Sequence, residues 1–282
     1  LIQFPEEEIA INAYCKKLKE VCEKFPLYGL KLGKPYYENS DIFSLKAKDF
    51  INSLTNNKKL QAVLAGTNFL YAGDGKRTPF YVHALTVNSY IESAYICING
   101  GSQISKILIK RLKENKGDAF MHHEVVKFGF EDKKISSVFT KNGKEIKGDL
   151  FISNIEPKLT LKLVGEDKFR KAYSNRINNI ESIIGGFSLY IILKPNSFKY
   201  QNKNYYHIKD HNKVWDGLNY TEESWPEGYM VSMGINNKTD EWGHSLTVIT
   251  YMKYEEVEPW VNTFNTVANK DDRGQTYEKF KA

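Results

Sequence analysis

With 282 residues, of which 41% are hydrophobic and 26% charged, the chain is long enough for one large domain or two ordinary ones and apolar enough to bury a core. The net charge of +6 comes from lysines spread along the whole length, without a compact Arg/Lys block interleaved with aromatics, so nucleic acid is not expected as a partner. Three cysteines, Cys15, Cys22 and Cys97, form neither a CxxC pair nor an even set, which argues against a disulfide framework or a structural zinc site and fits a reducing, cytoplasmic setting.

The first third reads as helical. Residues 5–25 start with Pro5 and three glutamates, and Ile9, Ile11, Tyr14, Leu18 and Val21 recur at helical spacing. Residues 41–54 follow as a second helix with Asp41 as its N-cap, residues 57–73 as a third ending in glycine, and residues 78–93 as a fourth with Pro79 near its first turn. At Ala94 the texture changes. AYICI (94–98) reads as a buried strand, Gly100-Gly101 as a tight turn, and residues 102–116 as a helix with Ile104, Ile107, Leu108 and Leu112 on one stripe.

Residues 118–130 and 135–141 alternate as strands. Asn142-Gly143 marks a hairpin to 144–149 with positive φ at both positions, and LFISN (150–154) reads as a short buried strand closed by Pro157. The order is β-α-β-β-β-β. Helix returns after Lys158, and the runs 183–194, 204–210, 228–236 and 245–253 are expected to form an antiparallel sheet. EPWVNTFNTV and the last residues read as helix again. The longest strongly apolar run, 183–193, holds two glycines and a serine and is too short to cross a bilayer. No signal peptide is expected, and the location expected is cytoplasmic, with the lysine surface allowing peripheral contact with a membrane.

Motifs for chemistry are sparse. Gly100-Gly101-Ser102-Gln103 lacks the G-x-G-x-x-G spacing that brings backbone up to a pyrophosphate, and Gly73-Asp74-Gly75-Lys76 is not a Walker loop. His122 and His123, adjacent in an expected strand, would face opposite sides and cannot share a metal, so no metal site is expected. G-x-S-x-G is absent. The aromatics, 18 Tyr and 16 Phe, fill strands and core or line a roomy apolar pocket, and YYHIKDHNKVW (204–215) is a candidate lining segment.

FPEEEIAINAY, LQAVLAGTNFLYAG, TPFYVHALTVNSYI, GGSQIS and VVKFGFEDKKISSVFTKNGKEIKGDLFISNIEP, in this order and spacing, resemble the FAD-dependent carotenoid oxidoreductases. That family holds phytoene desaturases, carotenoid isomerases and retinol saturases. HALTVNSYI and NYYHIKD make the likeness greatest to the retinol saturases. The resemblance implies an α/β (α+β) flavoprotein, with an antiparallel substrate sheet, its helices, and a piece of the FAD domain. It implies residues 1–94 as the helical part of a substrate domain, 95–165 as the middle segment of the FAD domain, and 166–282 as the substrate-domain sheet and helices.

The family's glycine-rich pyrophosphate loop would lie before Leu1, so the chain is expected to be an internal piece that does not itself retain FAD or turn over substrate. The resemblance assigns cofactor contacts to Gly100, Gly101, Val125, Ser153 and Asn154, and names no catalytic side chain. Ile98-Asn99 and Glu156 depart from the family pattern. The implied activity is hydride or electron transfer between flavin and an apolar polyene or isoprenoid, for which the protein supplies orientation and an apolar tunnel. The alternatives are a non-catalytic lipid- or isoprenoid-binding module, distinguished by polyene binding without any flavin gene context, and an amine-oxidase-like flavoenzyme, distinguished by trial substrates.

Overall fold

The computed structural model describes residues 2–25, 28–29, 40–98, 100–181, 184–236, 241–263 and 272–282. Its helices are α1 (Glu8–Glu23), α2 (Ser40–Ser44), α3 (Ala47–Leu54), α4 (Lys58–Ala65), α5 (Phe80–Glu92), α6 (Ser102–Glu114), α7 (Pro157–Val164), α8 (Lys171–Asn178) and α9 (Gly274–Lys281). Its strands are β1 (Val125–Glu131), β2 (Lys134–Thr140), β3 (Glu145–Lys147), β4 (Gly185–Ile192), β5 (Tyr205–Ile208), β6 (Gly228–Gly234) and β7 (Ser245–Met252). They fall into two compact units. One is built from Leu1–Gly101 with Ile183–Ala282, the other from Ser102–Ser182. The mixture of helices with antiparallel sheets is the α+β class read from the sequence.

In the first unit the helices share one apolar core. α1 buries Ala10, Tyr14, Leu18, Val21 and Cys22, while Ile9 is 88% exposed, so the buried stripe is rotated from the one expected. It packs with Ile51 of α3, Ala62 and Ala65 of α4, and Phe80 and Ala84 of α5. The expected helix over 41–54 breaks because tertiary pairing claims its middle. Lys46 bridges to Pro79, Ala47 N–H donates to Thr78 O at 2.9 Å, and Phe80 N–H to Leu45 O at 2.7 Å. Asp41 accordingly lies inside the first turn of α2 rather than capping it.

The expected helix over 57–73 is capped by Asn57, whose side chain accepts from Lys59 N and Leu60 N, and it stops at Ala65. A 3-10 turn, Asn68–Tyr71, follows. Gly73 then passes so close to Asn68 and Trp215 that an added Cβ would lie 2.7 Å from Asn68 Cβ.

The sheet of this unit has the order β4-β7-β6-β5, every pair antiparallel. Tyr206, Met230, Ile249 and Ser188 form one cross-strand row, and Tyr205, Val231, Val248 and Leu189 the next, on the opposite face. The Tyr206 face turns to the helices. Ile208 packs on the helical core, and Tyr251 stacks on Phe69 at 4.7 Å and donates its hydroxyl to Asn68 O. At one end of that face the side chains are small: Ser232, Gly234, Ser245 and Thr247. The edge strand β4 exposes Leu189, Tyr190, Ile191 and Ile192. The run expected as this strand starts at Ile183, which lies outside the described residues; of the helix expected over EPWVNTFNTV the described part holds a 3-10 turn, Glu258–Trp260, and 264–267 lie outside the described residues, whereas the helix expected over the last residues is α9.

The second unit holds α6, the sheet β1-β2-β3, α7 and α8. Asp132 and Lys133, at φ 48° and 71°, make the tight turn between β1 and β2. At Asn142-Gly143 only the glycine takes positive φ, 82°. Gly143 N–H bonds to Thr140 O at 2.9 Å, so a turn followed by a glycine bulge replaces the expected two-residue form.

Two expected strands are absent from the ladders and a third starts late. Residues 94–98 and 150–154 find no partner strand among the described residues, and of 118–130 only the part from Val125 pairs, as β1, after a turn at His122, φ 60°. A segment of strand composition stays unpaired where no edge is offered to its backbone groups. Leu150 and Ile152 are correspondingly exposed, as is the apolar stripe of α6, whose Leu108 is 63% accessible. The described order is therefore α-β-β-β rather than β-α-β-β-β-β. No described helix is long and apolar enough to cross a membrane.

Candidate functional site

Two polar clusters stand along α5, both in the first unit. The first surrounds His83, which is fully buried. The Tyr14 hydroxyl donates to Leu64 O at 3.3 Å, so it accepts from Nε2–H of His83 at 2.6 Å; Nδ1 then accepts from the Tyr71 hydroxyl at 2.6 Å. Phe80 packs against the same ring at 5.7 Å. Burial pushes the imidazole down to about 4 and both phenols well above their ordinary range. Every polar atom has its partner and no carboxylate takes part. The cluster is thus a closed, neutral network, which orders the helices and has neither the charge nor the access for acid–base work.

The second cluster lines a groove at the end of the sheet. β6 ends there, β7 begins there, and the approach to β5 crosses it. The opposite wall is the last turn of α5 and the extended segment that follows, with Tyr90, Tyr95, Ile96 and Cys97, while Thr67 contributes from the turn after α4. The volume is about 1080 Å³, just above the roughly 300–1,000 Å³ usual for small-molecule sites. The room comes from the small residues of the sheet face, Ser232, Gly234, Ser245 and Thr247.

Tyrosine rings stand in the groove wall, but most of its lining side chains are polar, chiefly Ser, Thr, Asn and Gln. Among the described lining residues there is no carboxylate, and Lys203 is the one lysine or arginine. The Lys203 ammonium sits over the ring of Tyr205, 5.3 Å from its centroid, and Tyr205 belongs to the other face of the sheet. Thr67 Oγ1 is buried without a hydrogen-bond partner, while the buried Tyr206 hydroxyl lies against Tyr90 and Asn204, both of which act on it. Burial first, and Tyr90 next, push this phenol up to about 12.

Of the positions expected to touch a cofactor, Gly100 is in the groove lining and the others lie elsewhere. Gly100, at φ 87°, and Gly101 form the turn before α6, and an added Cβ on either would meet nothing within 4 Å. Gly100 also reaches the groove lining. In the second unit Val125 opens β1, opposite Thr140. The Ser153 hydroxyl bonds the Thr160 hydroxyl at 2.8 Å, and Asn154 is exposed. Asn99 lies outside the described residues. Glu156, a departure from the family pattern, has a local role: its carboxylate caps α7 by accepting from Leu159 N at 2.8 Å, with Pro157 at the first helical position.

The remaining histidines are dispersed. His122 and His123 precede β1 instead of alternating within it, and His123 Nδ1 contacts Met121 O at 2.7 Å. His207 stacks on Tyr229 at 4.8 Å, on the sheet face away from the helices. Of the candidate lining segment 204–215, Asn204 and Tyr206 line the groove, whereas Val214 and Trp215 are in the helical core. Thr67, Tyr90 and Tyr95 had no sequence signal of their own, but the alternation of small residues through GYMVSMG and SLTVITYM marks the sheet face that makes the space.

No family model matches the chain. It is 29% identical over 146 residues, 46% of its own length, to all-trans-retinol 13,14-reductase of Danio rerio, of which that stretch is 24%. Among solved structures it is similar to the PF1083 protein of Pyrococcus furiosus, with a TM-score of 0.51 and 20% identity over 87% of this chain. It spans 55% of that protein, and about a quarter of the curated relative.

Proposed function

We propose that the chain is the substrate-facing part of a flavin-dependent oxidoreductase that acts on a polyene or isoprenoid. The observation that carries this reading is the sequence match to a retinol reductase. The groove supports it, since its aromatic walls and small-residue floor suit a long, flat, unsaturated chain. Among the described lining residues no nucleophile–base hydrogen bond is formed, and a redox reaction at a polyene needs none, because flavin supplies the hydride or electron transfer.

The residues expected to meet FAD fit such a role in one respect. The backbone at Gly100 and Gly101 is open to close approach, because no neighbouring atom occupies the space of an added side chain. Ser153 and Asn154 offer exposed polar side chains. Gly100, Gly101, Val125, Ser153 and Asn154 would then contribute to holding the flavin nucleotide in the full-length protein, while the groove residues orient substrate and exclude water.

Titrating the 282-residue chain with all-trans-retinol and following tryptophan fluorescence tests the substrate half of this reading. Saturable one-site binding without added flavin is expected. Non-saturable quenching, matched by an unrelated protein of similar aromatic content, would remove it.

A further inference from the structure

The edge of a sheet carries unpaired backbone N–H and C=O groups, and an edge that stays in water is usually protected against pairing by short length, charge or a bulge. Three of the four edges of the described sheets are protected in this way. β5 has only four residues and stands between Lys203 and Lys209, with the Lys203 ammonium over its first ring, Tyr205. β3 has three residues, of which Glu145 and Lys147 are charged. β1 carries Lys127 and Glu131 and shifts register twice against β2.

β4 has none of these devices. It pairs with β7 along all of Gly185–Ile192 without a break in register, and it contains no proline and no charge. Seven of its eight residues are exposed, on both faces of the sheet: Leu189 and Ile191 on one, Tyr190 and Ile192 on the other, the last two at 73% and 71%. Phe187, the remaining residue, meets the Trp225 ring edge-on at 5.5 Å and fixes the strand in place.

We propose that β4 is the interface of a twofold dimer, in which it pairs antiparallel with β4 of a second copy of this chain and joins the two four-stranded sheets into one. An uncharged strand laid against itself brings no like charges together. A twofold axis perpendicular to the sheet keeps each face on its own side. With that axis at Leu189, Leu189 stands opposite itself and Phe187 opposite Ile191, so the face turned away from the helices pairs apolar side chains only. The far edge, β5, is protected, so association through β4 closes at two copies instead of extending. No β4 residue is among the described lining of the groove, and the dimer stands or falls independently of the polyene reading.

The test is sedimentation of the 282-residue chain over roughly 1–100 μM, the range in which a modest interface dissociates. The parent is expected to reach twice the 32.6 kDa of one chain. Leu189→Lys and, separately, the more exposed Tyr190→Lys should each raise the dissociation constant by about tenfold or more. Mixing Leu189→Lys with Leu189→Glu should restore a dimer of one copy of each, which also shows that both variants are folded. Tyr205→Lys, on the far edge, should dimerise like the parent.

A parent that stays at the mass of one chain overturns the proposal. If its β4 amides are then protected from hydrogen exchange, another segment of the same chain occupies the edge. Dimers that persist in both β4 lysine variants, or that are lost in Tyr205→Lys, overturn β4 as the interface. Failure of the folded lysine and glutamate variants to pair overturns the self-pairing, and association that continues past two copies overturns the twofold closure.

Discussion

The two ends of α5 use the same kind of side chain for opposite purposes. Around His83, near its start, the tyrosine hydroxyls of residues 14 and 71 are spent on the imidazole and a carbonyl, and nothing is left over. Around Tyr90, near its end, Tyr90, Tyr95 and Tyr206 line a groove of about 1080 Å³ beside the small side chains of Ser232, Gly234, Ser245 and Thr247. A satisfied polar network fixes one arrangement of helices. An open groove leaves side chains for a ligand to cover. The contrast is between a closed polar region and an open one.

Cavity formation in the closed region should have the largest effect. Phe80→Ala empties a fully buried aromatic site against Phe50 and His83 and should cost about 3–5 kcal/mol in urea unfolding. Acid comes next. The folded His83 is held at about 4, below the ordinary 6.5, so the unfolded chain takes up the proton first. The stability contributed by the neutral imidazole is complete above pH 6.5 and falls away between 6.5 and 4, by about 3 kcal/mol over that window. Unfolding free energies across this range should lose that component in His83→Gln, while the part due to other groups persists.

Tyr14→Phe, which strands the Nε2–H of His83, should cost about 1–3 kcal/mol; Tyr206→Phe, in the groove wall, should cost less, under about 1 kcal/mol. If the two phenylalanine variants destabilise equally, the contrast between the regions is wrong. Smallest is the glycine pair. Gly100→Ala is strained at φ 87° and should cost about 1 kcal/mol, whereas Gly101→Ala meets open space at an ordinary φ and should melt with the parent. In the full-length protein, lowered flavin occupancy in Gly101→Ala despite unchanged melting would locate the cofactor beside this turn.

What the sequence revealed follows from where local signals dominate. The strands of the four-stranded sheet were legible because long β-branched and aromatic runs sit between turn residues, and α6 because its stripe has helical period. The break at Leu45–Lys46 was not legible. It depends on Pro79 and Thr78, more than thirty residues away, supplying competing backbone partners. Residues 94–98 and 150–154 have the composition of buried strands, but a ladder needs a neighbour, and composition says nothing about whether one is present. The groove was half visible. Tyr206 lay in a segment suspected of lining a cavity, while Thr67 and Tyr90 reach it only because the helical layer folds back over the sheet.

The most direct test is a crystal structure of the chain with all-trans-retinol. The polyene should lie along Ser232, Gly234 and Thr247, against the rings of Tyr90 and Tyr206. Retinol bound outside this groove would contradict the account.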